Sequence, residues 1–124
     1  MDIVISNASD LPIYEQISSQ IKALIMNGTL KEGELLPSIR VIAKELKVSV
    51  ITTKRAYADL ERDGFIEIVR GKGSFVSSRN LDFIREEQLR NAEIHLQKAV
   101  EIAQVGNISL DELTELLTLI YEGE

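Results

Sequence analysis

Three short clusters in this 124-residue chain carry side chains suited to recognising a polyanion. The first is Ser38 with Arg40. The second is Ser49-Val50-Ile51-Thr52 followed by Lys54 and Arg55. The third is Gly71-Lys72-Gly73. Cations in such a set can meet phosphate, and hydroxyls and apolar methyls can meet base edges. Glycines on either side of a lysine let the backbone itself come close to a sugar-phosphate. Binding of double-stranded DNA is the chemistry that uses all three clusters. Enzymatic chemistry finds no footing. The chain has no Cys and one His, and no nucleophile stands beside a base. Gly71-Lys72-Gly73-Ser74 lacks the upstream glycine of a phosphate loop. His95, even with Glu93 or Glu101 near it, is not a ligand set for a metal. No catalytic residue, metal or cofactor is expected.

The elements that must hold these clusters can be read from periodicity and punctuation. Residues 1–9 read as extended or loose. Asp10 is the expected N-cap of a first helix, with Pro12 in its first turn and Ile13, Ile17, Ile21 and Leu24/Ile25 as its apolar stripe. Asn27-Gly28 ends it, and Lys31-Glu32-Gly33 is a turn. Ser38 caps a second helix that turns Ile39, Ile42, Ala43 and Leu46 inward. Lys47-Val48 is a tight connection. Ser49 caps a third helix, which ends at Gly64 in a left-handed C-terminal position. Phe65–Val69 and 74–77 read as two strands joined by a tip at 70–73. Two helices in tight succession and then a basic hairpin make a winged helix-turn-helix.

Helical phasing orients the third helix. At about 100° per residue, Thr53, Ala56, Tyr57 and Leu60 share one side and belong to the core. Ile51, Arg55, Ala58 and Arg62 face the other way, with Val50 and Lys54 on one flank and Thr52 on the other. The N-terminal residues of such a helix are the ones that reach bases in the major groove. Arg40 is expected to point into the same region, and Arg70 and Arg79 add charge beside the hairpin tip.

The last third of the chain differs in character. Leu89, Ala92, Leu96, Ala99 and Ala103 recur at spacings of three and four, a heptad-like stripe. Gly106-Asn107 interrupts it, Ser109 and Glu112 form a capping box, and Leu110, Leu113, Leu116, Leu117 and Ile120 make a second stripe. One pair of helices cannot bury two such stripes alone, so both are assigned to homodimerisation. A small-molecule effector is left unassigned, because a pocket needs roughly 300 Å³ and a helical pair is expected to enclose that only between two copies.

Charge follows the same division. The net charge is −6, but residues 81–124 hold 3 basic and 10 acidic side chains while residues 38–79 hold 9 basic and 5 acidic. The acidic total is therefore compatible with a basic DNA-facing middle. Nothing in the chain is long and apolar enough for a membrane span, and the acidic start is no signal peptide. With no cysteine, a reducing cytoplasm is the expected location.

The string from Leu36-Pro37-Ser38-Ile39-Arg40 through Val48-Ser49-Val50-Ile51-Thr52, then Ala56-Tyr57, Leu60-Glu61, Gly64-Phe65-Ile66 and Gly71-Lys72-Gly73-Ser74-Phe75-Val76, resembles the GntR family of bacterial transcription regulators. Pro12-Ile13-Tyr14 and Gln16-Ile17 fit its first helix. Ser-Ile-Arg, Val-Ile-Thr and Ala-Tyr resemble the YtrA-like subgroup, whose short tail is a pair of dimerising helices. The resemblance implies a homodimeric regulator, a repressor by expectation, on an inverted-repeat operator. It also implies DNA contacts at Ser38, Arg40, Ser49, Val50, Ile51, Thr52, Lys54 and 71–73. Many members carry Arg where this chain has Val50, so it lacks a likely guanine reader there.

The expectation is a mainly α chain with a small β-hairpin: a winged helix-turn-helix domain over residues 1–78 and a helical hairpin over 79–124. The alternative is a winged-helix module for protein–protein contacts, its basic middle meeting an acidic partner.

Overall fold

The computed structural model describes residues 1–78 and 81–123. Along the chain run α1 (Ile13–Met26), α2 (Ile39–Leu46), α3 (Val50–Arg62), β1 (Ile66–Val69), β2 (Gly73–Val76), α4 (Leu81–Val105) and α5 (Leu110–Glu122). They divide into two compact units, Met1–Leu81 and Asp82–Glu124. Arg79 lies outside the described residues.

The first unit is organised by α3. Thr53, Ala56, Tyr57 and Leu60, the four residues phased inward, are all fully buried. Against them lie Ile17, Ile21 and Ile25 of α1, Ile42 and Ala43 of α2, and Phe65 and Ile66 at the start of the hairpin. Each large aliphatic side chain sequestered this way contributes about 1.5–3 kcal/mol, and these isoleucines do the work that larger aromatics do elsewhere. Tyr57 adds a polar tie, its hydroxyl donating to the Pro37 carbonyl at 2.7 Å. At the far end of α3, Asp63 accepts from Lys22 of α1 at 2.9 Å and from Arg62 at 3.1 Å. Burial opposes the charge on Asp63, but the hydrogen bonds from Arg62 and Lys22 outweigh it and hold the carboxyl below its ordinary range.

Helix ends are set by local chemistry. Ser38 Oγ accepts from Val41 N–H, Ser49 Oγ from Thr52 N–H, and Ser109 Oγ from Glu112 N–H. The expected cap at Asp10 is not formed. α1 starts two residues later than that cap requires, with Pro12 at the N-cap position. No side chain caps this end; the Pro12 carbonyl alone takes the Glu15 and Gln16 N–H groups. Gly64 closes α3 at φ +84°, with Phe65 N–H donating to Leu60 O and Gly64 N–H to Glu61 O. That pair of bonds is a Schellman motif. The same pair closes α2 around Lys47 and α4 around Asn107, at φ +58° and +56°.

Lys47 thus occupies a left-handed position without being glycine. A side chain costs energy there, and Lys47 is exposed and makes no side-chain hydrogen bond among the described contacts. Lys47→Gly is expected to stabilise the chain by roughly 0.5–1 kcal/mol, read as a higher urea midpoint at unchanged slope.

The N-terminal segment is extended but not loose. Gln20 donates its amide to Val4 O and accepts from Val4 N–H, and Gln16 does the same with Ser6, at 2.7–2.9 Å. Two glutamines one turn apart thereby pin an extended strand to α1.

The hairpin pairs Ile66 with Val76 and Val69 with Gly73, so the return strand begins one residue before the expected 74. Lys72 N–H donates to Val69 O across the tip, and Gly71 supplies the positive φ of that turn, at +79°. A third segment completes the sheet. Leu35 bridges Phe75, Leu36 N–H donates to Ser74 O, and Val76 N–H to Glu34 O. Glu61 of α3 accepts from Ile68 N–H at 3.0 Å and fixes the hairpin to the helix.

The second unit behaves differently. α5 buries none of its residues. Along α4, Ala103 is buried and Ala99 half-buried, but Leu89, Ala92 and Leu96 are exposed. The stripe of α5 does not close over that of α4. Instead the two helices flank an apolar groove of about 360 Å³ between Leu96, Ala99 and Val100 on one side and Leu110, Leu113, Leu116, Leu117 and Ile120 on the other. That is more room than expected of one helical pair.

Candidate nucleic-acid interface

Two surfaces gather the candidate residues. The first is a groove of about 560 Å³ between the start of α2 and the hairpin. Ser38, Arg40, Gly71, Lys72 and Gly73 all line it, although more than thirty residues separate the two groups. No residue of α3 does. Arg70 lines the groove as well, a third cation beside Arg40 and Lys72. None of the three has an ion-pair partner among the described residues, so no carboxylate competes with an incoming phosphate. Ser38 is committed to its helix cap and acts by fixing the α2 terminus.

The two glycines at the tip have distinct roles. Gly71 serves the turn. Gly73 has φ +121°, and a Cβ there would stand 3.0 Å from Leu35 Cδ1. Sequence reasoning assigned both glycines to the approach of a ligand; at Gly73 the positive φ by itself favours glycine, and the Leu35 methyl 3.0 Å away is the end of an exposed side chain that can move. No signal in the sequence marks Leu35 as its neighbour, because Leu35 belongs to no strand by pattern.

The second surface is the first turn of α3. Val50 is 48% exposed and Ile51 81% exposed, and Lys54 is exposed without an ion-pair partner among the described residues. Ser49 and Thr52 are turned toward each other: Ser49 Oγ accepts from Thr52 N–H and donates to Thr52 Oγ1 at 2.7 Å. Their shared bond leaves the Thr52 hydroxyl proton as the one hydrogen this pair can give outward. Arg55 differs from its neighbours. Its guanidinium lies 3.7 Å from the centroid of the Tyr14 ring, so α1 sets its position. Sequence reasoning missed that contact because Tyr14 and Arg55 lie on different helices.

The architecture is therefore a helix-turn-helix whose second helix exposes its N-terminal turn, followed by a hairpin with a cationic tip. Residues 13–76 match the family described as bacterial regulatory proteins, gntR family. The chain belongs to the GntR family. It is 34% identical over 113 residues to the HTH-type transcriptional repressor YtrA of Bacillus subtilis, covering 91% of this chain and 87% of that protein. A transcriptional antiterminator from Listeria monocytogenes superposes with a TM-score of 0.78 at 30% identity, over 98% of this chain and 90% of the other. The DNA-binding domain of AraR, solved in complex with operator ORX1, gives a TM-score of 0.56 at 25% identity over 62% of this chain and 96% of that one.

As expected from Leu36–Val76, this is a GntR-family chain of the YtrA type, a winged-helix chain with five helices and one two-stranded hairpin among the described residues. It is a DNA-binding transcriptional regulator and not an enzyme. No described helix is long and apolar enough to cross a membrane. No group of three His, Cys, Asp or Glu side chains among the described residues is placed to hold a metal ion.

Proposed function

We propose that this regulator acts in the cytoplasm as a homodimeric repressor, each copy reading one half of an inverted-repeat operator. The first turn of α3 enters the major groove with Ser49, Val50, Ile51, Thr52 and Lys54, while Arg55 is steadied by Tyr14 at the rim of that surface. The groove holding Ser38, Arg40 and 71–73 grips the sugar-phosphate backbone. The observation that carries this reading is the convergence of Arg40, Arg70 and Lys72 in one groove free of carboxylate partners among the described residues. Relatives support it too: one is called a repressor, and AraR was solved on its operator.

Two copies are invoked because the tail leaves its apolar stripes uncovered. Leu89, Leu96, Leu116, Leu117 and Ile120 are each 47% exposed or more in the single chain. Soluble monomers rarely leave contiguous apolar surface of that extent to water, and a second copy of the tail would cover Leu89, Ala92, Leu96, Leu113, Leu116, Leu117, Ile120 and the open part of Ala99, whereas Ala103 is already buried within the single chain.

The test is selection of bound duplexes from a random pool at stated salt, followed by titration of the enriched duplex across a salt series. An inverted repeat is expected. Arg40→Ala and Lys72→Ala should each weaken binding and reduce the slope of log affinity against log salt by about 0.9, the signature of one lost phosphate contact. Unchanged affinity and slope in both variants would remove the groove from the interface. A pool that enriches no motif would favour a protein partner instead.

A further inference from the structure

We propose that Ile51, with Val50 beside it, is the specificity-determining contact of this chain, and that it reads the C5-methyl group of thymine at a fixed position in each operator half-site. The inference rests on the reading of α3 as the major-groove helix and specifies what that helix selects. Ile51 is 81% exposed at the first turn of α3, and Val50 follows at 48%. Both are branched, stiff side chains with no hydrogen-bonding atom. Set against guanine, adenine or cytosine, they would strip water from acceptors and donors on the base edge and return nothing. Thymine is the base whose major-groove edge carries an apolar group.

The neighbouring polar groups are chiefly donors, which suit any base edge with an acceptor, so the choice of thymine falls to the apolar pair. Ser49 is consumed by the cap and by its bond to Thr52, which leaves the Thr52 hydroxyl proton and the Lys54 ammonium as the nearby donors. Both can serve an acceptor such as thymine O4, while Thr52 Oγ1, with one lone pair already taken by Ser49, has a single site left to accept from an amino group. The surface is therefore built of an apolar contact flanked by donors. Such a surface suits thymine. An Arg in place of Val50 would instead offer the bidentate contact characteristic of guanine.

The test uses the full chain and the duplex enriched from the random pool. Each thymine is replaced in turn by deoxyuridine, which removes the methyl group and leaves every hydrogen-bonding atom in place. Binding is read by fluorescence anisotropy at fixed salt. One thymine per half-site is expected to lose affinity by a factor of about four on demethylation, the value of one buried methyl group. In Ile51→Ala, or in Val50→Ala if Val50 makes the closer contact, that factor should fall to about one while binding to the deoxyuridine duplex stays near the parent's. Both substitutions are at exposed sites and introduce a better helix former, so folding is not at stake. Deoxyuridine duplexes that bind like the parent duplex at every position would overturn the inference and leave DNA binding intact. A thymine effect that persists undiminished in both alanine variants would also overturn it. Failure to enrich any duplex would overturn the DNA reading on which the inference rests.

Discussion

Replacing Leu96 and Leu117 together by Asp is expected to turn the proposed dimer into a monomer and to weaken operator binding by a factor on the order of 10²–10⁴. Both side chains border the apolar groove between α4 and α5, and both are about half exposed in the single chain. Charge placed there costs the single chain little, because water already reaches the site. In a dimer it would be buried without a partner, which costs several kcal/mol per site. The loss of affinity follows from geometry. One winged helix touches a few base pairs, and tethering to a second makes the second binding event intramolecular. The variant should keep the helical content of the parent by circular dichroism and elute at half its mass in light-scattering chromatography. A double variant that remains dimeric and binds the operator like the parent would show that the tail stripes are not the interface. Placing a single Asp at Ser78, an exposed site outside the stripes, should leave assembly unchanged.

How far such surfaces can be read in advance depends on whether burial follows a local period. For α3 it does: Thr53, Ala56, Tyr57 and Leu60 fall on one side of a 3.6-residue repeat, and all four are buried. Gly64 was equally legible, because a left-handed helix end is the conformation glycine favours. Lys47 has the same geometry and gives no such signal. There the requirement of the turn overrides the preference of the residue. In the tail the periodicity marked apolar stripes correctly but was silent about what they pack on. α5 buries none of its residues within the single chain.

Contacts between residues far apart in the chain were hidden for a different reason. The glutamines of α1 look like ordinary solvent-facing residues, yet Gln16 and Gln20 hold the backbone of Ser6 and Val4. Leu35 has no neighbours that mark it as a strand, but it pairs with Phe75. At the candidate interface, residue type identified the cations and the branched apolar pair. It could not show that Arg55 would stack on Tyr14. Hydrogen bonds and stacking are settled by distance, and distance between helices is a property of the packed core.

Tyr57 links that core to the interface, and its removal should have the largest effect on stability. The ring is fully buried in α3, and its hydroxyl holds the Pro37 carbonyl immediately before the Ser38 cap. Tyr57→Ala should cost about 3–5 kcal/mol, the range for deleting a large buried aromatic side chain. Tyr57→Phe separates the two contributions. It keeps the ring and should cost roughly 1–2 kcal/mol for the carbonyl left without its donor. The variants also differ in how they respond to base. Burial pushes the Tyr57 phenol up from 10.0 to about 12. The folded chain therefore holds this proton more tightly than the unfolded chain does. Its contribution is complete below pH 10 and is lost as the pH rises from 10 to 12, to a total of roughly 2–3 kcal/mol. Urea titrations at pH 8, 10 and 11.5 should show the parent losing stability across that window and Tyr57→Phe losing less by about that amount. Equal losses in the two proteins would mean that the phenol is not desolvated in the fold. The hydroxyl also positions the start of α2, and with it Ser38 and Arg40. Tyr57→Phe should therefore weaken operator binding severalfold at temperatures where the chain is still fully folded, through Arg40 rather than through any contact of its own.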